Sequence, residues 1–91
     1  MYINGAAQVV SITAASVQST AFGALTTHLM LASPGVGVWY KVGANPTADI
    51  TTSAYLPPNW VWVIQVNPGE KLACIQPTTP SGTFNVVELI G

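Results

Sequence analysis

His28, Asp49, Glu70, Cys74 and Glu88 are the side chains with the chemistry for nucleophilic, acid–base or metal-binding work. A cysteine–histidine nucleophile pair requires Cys74 with His28, and a serine triad requires His28 with Asp49, because no other histidine exists. Neither pair is marked by a local motif: no Gly-x-Ser-x-Gly elbow occurs, and the candidate ligands show no metal-site spacing. His28 alternates with Thr26 and Met30, as a partly exposed or interface imidazole does. Cys74, between Ala73 and Ile75, reads as a small buried hydrophobe. No catalytic residue, metal ligand or cofactor is expected, and the chain does not read as an enzyme.

Other ligand classes fare no better. Gly35, Gly37 and Gly43 match neither glycine-rich phosphate fingerprint. Two lysines and no arginine limit phosphate neutralisation to a salt slope of about -2 per chain, so nucleic acid is not an expected partner. Asn45-Pro46-Thr47 has proline at the position a glycosylation acceptor forbids. The aromatic residues remain. Most of Tyr2, Trp39, Tyr40, Tyr55, Trp60 and Trp62 are expected in the core, since such rings carry large buried area. Any left exposed anchors a protein interface or stacks on a sugar, and Trp39, beside Lys41, is the first choice.

Whatever positions these residues must do so with very little charge. The chain has 91 residues, enough for one domain over 1–91, and only 5% of them are Asp, Glu, Lys or Arg, against about 25% in an average protein. Its hydrophobic share is 49%, the reverse of a disordered composition. The charge-free first forty residues are interrupted by polar residues and by Pro34-Gly35, so they form no membrane span. No Lys or Arg precedes Lys41, so no secretory leader is expected. A surface this poor in charge favours association with other protein.

Turn signals recur at Ser33-Pro34-Gly35, Gly43 through Pro46, Pro57-Pro58-Asn59, Asn67 through Glu70 and Pro77 through Gly82, a spacing that suits an all-β sandwich or barrel. Both Pro-Gly pairs read as type II turns joining adjacent strands. Between turns, alternation predicts a strand from Gln8 to Ala15 with Val10, Ile12 and Ala14 on one side. It predicts another with Leu25, Leu29 and Leu31 opposite Thr26, His28 and Met30, ending at Ser33. A third has Val36, Val38, Tyr40 and Val42 opposite Trp39 and Lys41. From Trp60 to Val66 both faces are apolar, so that strand wants cover on both sides. Lys71 to Gln76 and Thr83 to Ile90 complete the set, the last with neither face clearly solvated. Ala48 to Tyr55 reads as an edge strand or an extended loop.

Four stretches follow a familiar order: Val38-Trp39-Tyr40-Lys41-Val42-Gly43-Ala44-Asn45-Pro46-Thr47-Ala48, Tyr55-Leu56-Pro57, Val66 through Ile75 by way of Asn67-Pro68-Gly69-Glu70-Lys71, and Phe84-Asn85-Val86-Val87-Glu88-Leu89. With Ala14-Ala15-Ser16-Val17-Gln18-Ser19-Thr20-Ala21 upstream, the chain resembles small virion proteins of tailed bacteriophages, of the capsid decoration (cement) type. The resemblance implies a single-domain antiparallel β-sandwich or jelly-roll-like barrel that forms a homotrimer on the capsid exterior after assembly in the host cytoplasm. It implies the chain itself and the major capsid protein as partners, with no nucleic acid and no membrane. Tyr2, Trp39 and Tyr55 are the interaction residues expected on that basis. The alternative is a tail, neck or fibre-base module recognising a host-surface glycan or another virion protein.

Overall fold

The computed structural model describes residues 3–78 and 82–90. The expected strand composition is realised in eight strands: β1 (Ile3–Ser11), β2 (Val17–Gln18), β3 (His28–Ala32), β4 (Val38–Gly43), β5 (Ala54–Leu56), β6 (Val61–Gln65), β7 (Lys71–Ile75) and β8 (Thr83–Ile90). They form two antiparallel four-stranded sheets, ordered β1-β8-β3-β6 and β2-β7-β4-β5. Pairing β1 with β8, β2 with β7, β3 with β6 and β4 with β5 is a long hairpin rolled up on itself, the wrapping of a jelly roll.

Inward-facing alternate residues make the core between the sheets. Leu29, Leu31, Val38, Leu72, Phe84 and Val86 are fully buried, and Tyr40 meets Phe84 edge-on at 6.1 Å between ring centroids. The Pro-Gly turns have the expected backbone, with φ of 78° at Gly35 and 82° at Gly69. Their role differs from expectation. Each joins a strand of one sheet to a strand of the other, β3 to β4 and β6 to β7, because a turn reverses the chain without choosing the sheet it enters.

Three boundaries also move. The first strand is Ile3–Ser11, not Gln8 to Ala15; Ile12 stays buried just after it, whereas Ala14 is exposed. Leu25 precedes β3 in a turn and is 70% exposed instead of joining Leu29 and Leu31. The Ala48 to Tyr55 stretch divides into a loop and the short edge strand β5.

Candidate functional site

Strand register fixes which residues share a side of a sheet. In the first sheet Val10, Leu29, Leu31, Phe84 and Val86 face the core. On its outer side Met30 lies opposite Val87 and Val63, and Val87 lies opposite Ala7. Two residues along, Ala32 lies opposite Asn85 and Val61, and Asn85 lies opposite Val9. Two rows of four therefore cross the whole sheet, with Asn85 their one polar member.

A sheet face meant for water carries polar residues in these places. Here Ala7, Val9, Val61 and Val63 are exposed, and Met30, Ala32 and Val87 are half-buried. None of the five charged residues is on this side. Lys41 and Lys71 face outward from the second sheet, Asp49 and Glu70 lie between strands, and Glu88, opposite core-facing Leu29, points inward.

The second sheet is treated differently. Its outer side is crossed by residues 44–53. Gln18 Nε2 donates to Asn45 Oδ1 and to the Pro46 carbonyl at 2.9 and 2.7 Å, Ala48 N donates to Ser16 Oγ at 2.9 Å, and Lys41 Nζ donates to Thr52 Oγ1 at 3.3 Å. Under this segment Ala73 is fully buried although it points away from the core. Asp49 folds the end of the segment by accepting from the N–H and hydroxyl of both Thr51 and Thr52. Those four hydrogen bonds hold its carboxyl well below the ordinary carboxylate range.

The two lateral seams of the sandwich differ as well. At the β1–β2 seam Gln8 accepts from the Thr20 N–H and hydroxyl at 2.9 and 2.8 Å and donates to Glu88 at 3.3 Å. Glu88, 4% exposed, also accepts from Gly23 N at 2.8 Å and Thr26 Oγ1 at 2.6 Å. The β5–β6 seam has no such stitching among the described residues. It opens into a cleft of about 250 Å³ lined by Tyr40, Tyr55, Leu56, Pro57, Trp60 and Trp62.

Trp60 and Trp62, from the aromatic set expected mostly in the core, are 55% and 50% exposed, because β6 is an edge strand and the cleft beside it is open. Trp39 is half-buried on the outer side of the second sheet and leans on Tyr55 of β5, with ring centroids 4.7 Å apart. Tyr55 also contributes to the cleft. Tyr2 lies outside the described residues. Sequence alone does not single out Met30, Val87, Val61 and Val63 as a common surface, although the two apolar sides of β6 and β8 are a signal of it.

The structure does not bring the reactive residues together. His28 shares the outer side of the first sheet with Gln65, Nδ1 lying 2.9 Å from Thr27 Oγ1. Cys74 faces the core of the second sheet, and burial pushes its thiol up to about 11. Among the described residues no three His, Cys, Asp or Glu side chains converge as a metal site would need. Comparison with protein-family models, with curated proteins and with solved structures finds no match.

Proposed function

We propose that the chain is a structural virion protein of the capsid decoration type, which self-associates and binds the outer surface of a phage head lattice, stabilising it without catalysis. The observation that carries this reading is the pair of charge-free apolar rows on the outer side of the first sheet. An apolar face of that extent is stable in water once another protein covers it. The asymmetry adds support, since the chain roofs one sheet with its own residues 44–53 and leaves the other bare. The resemblance of several stretches to small phage virion proteins suggests the setting. Bridging neighbouring lattice subunits adds binding free energy available only in the assembled shell, which opposes its opening.

Co-sedimentation with assembled, emptied tailed-phage heads and with their unassembled capsid subunits tests this. Saturable binding to heads alone is expected, lost in Val87→Lys. Equal binding to free subunits, or none to heads, rules the reading out.

The aromatic cleft favours a second reading, in which the chain is a tail, neck or fibre-base module. Paired tryptophans and tyrosines form a platform on which a sugar ring stacks. A glycan-array signal abolished by Trp62→Ala, with head binding absent, would select it over decoration.

A further inference from the structure

Sheet edges are normally blunted, because a row of unpaired backbone groups templates the addition of another strand. Three of the four edges here follow that rule. β2 has two residues and β5 three, and β1 carries a register shift between Asn4 and Ala7. β6 does not. It is five residues long, Val61-Trp62-Val63-Ile64-Gln65, with regular pairing to β3, and contains no charge, proline or bulge.

Its free hydrogen-bonding groups can be assigned. Just past β6, Val66 N donates to the Thr27 carbonyl at 2.9 Å. In an antiparallel ladder successive residues alternate in the direction of their backbone groups, so Ile64 and Trp62 turn theirs to β3, while Val61, Val63 and Gln65 turn theirs outward. Among the described residues no strand pairs with that side.

We propose that two copies of the chain join β6 to β6 about a twofold axis through Val63, making one continuous eight-stranded sheet. This inference rests on the self-association in the functional reading and names its surface. The register follows from the sequence. Centring on Val63 is the one antiparallel alignment that pairs all three outward-directed residues, Val63 with its own copy and Val61 with Gln65 of the other chain. Trp62 then lies opposite Ile64 of the second copy, and Trp60 opposite Val66, so apolar meets apolar along the inner side as well. That arrangement accounts for a strand apolar on both faces at the rim of a sheet.

A second copy suits this edge better than a different partner, because the edge is complementary to itself and carries no charge to repel its copy. Trp60 and Trp62, each about half exposed, present on the order of 100 Å² apiece. With Val61, Val63 and the cleft wall, two copies hide on the order of 1,000 Å², the lower bound of a specific interface. The bare rows of both chains merge into one face, free for the lattice. The resulting unit has an even number of chains, in place of the trimer that the phage likeness implies.

Cysteine crosslinking reads the register directly. Across the axis the two Val63 Cα atoms would stand about 5.5 Å apart, a span a disulfide bridges, whereas the two Val61 residues would be offset by four strand residues, about 13 Å. Native Cys74 is buried and does not compete. With a copper(II) oxidant, Val63→Cys is expected to run as a covalent pair on a non-reducing gel and Val61→Cys as a single chain. Equal crosslinking by both, or none in Val63→Cys protein that still sediments as an oligomer, overturns the twofold register and leaves self-association standing. Wild-type protein that sediments as single chains overturns both. Val63→Pro removes the N–H at the axis, a change an edge strand tolerates; it is expected to weaken pairing at least about tenfold with an unchanged circular dichroism spectrum. Unweakened pairing in this variant also overturns the register.

Discussion

Met30 of β3 lies directly opposite Val63 of β6 on the outer side of the first sheet, and neither side chain has a polar neighbour within its row. The relationship matters because Met30 is central and Val63 is at the rim, so the apolar surface runs unbroken from the middle of the sheet to its unpaired edge. Face and edge thus form one continuous apolar surface.

Met30→Glu puts a charge at the centre of that surface. Because the residue points away from the core, the folding cost is expected to stay within about 1 kcal/mol, while head binding is lost and pairing through β6 is kept. Urea denaturation and co-sedimentation with heads on the same preparation separate the two effects. A variant that binds heads as wild type does would remove the face from the account.

Glu88 is a buried carboxylate whose partners are all neutral donors: Gly23 N, Thr26 Oγ1 and Gln8 Nε2. Glu88→Ala leaves Gly23 N and Thr26 Oγ1 without that acceptor, while Gln8 Nε2 keeps the Thr20 carbonyl at 3.4 Å, and is expected to destabilise the fold by about 2–4 kcal/mol. Glu88→Gln, which keeps one carbonyl oxygen, should cost less. Midpoints of chemical denaturation decide this, and equal losses in the two variants would argue against the network.

Several of these features are legible in the sequence and others are not, for identifiable reasons. An apolar run bounded by turn signals locates β8 at Thr83–Ile90, and alternation assigns the two sides of β4, since a period of two survives wherever one side meets the core. The positive φ of Gly35 and Gly69 follows from Pro-Gly chemistry. Which sheet each turn leads into depends on long-range pairing, so local residues do not encode it. The site was half visible: Trp60 to Val66 demands cover on both sides, yet nothing local says that this strand sits at an edge. Met30 was hidden because it alternates with Thr26 and His28, which made its side look polar.

Cys74 gives the fold an alkaline limit. Its thiol titrates near 11 in the folded chain against an ordinary 9.0, through burial. Between those values the unfolded chain has released a proton that the folded chain keeps, so stability falls as pH rises from about 9 to about 11 and is unaffected by this group at lower pH. A Cys74→Ala variant lacking that slope in denaturation midpoints confirms the assignment; an unchanged slope refutes it.

The end of Tyr55 occupies the space where a side chain on Gly37 would begin. Gly37→Ala is therefore expected to swing the phenol aside, disrupt its contact with Trp39 and cost about 1 kcal/mol. Loss of near-ultraviolet circular dichroism with far-ultraviolet signal intact is the expected record. Unaltered near-ultraviolet signal would count against that packing.

The measurement closest to the central claim is the solution mass of the purified chain by sedimentation equilibrium, from micromolar to millimolar concentration. The account predicts a species heavier than one chain of 9.5 kDa, with mass shifted toward a single chain by Val63→Pro. A wild-type protein that stays at 9.5 kDa throughout would contradict it.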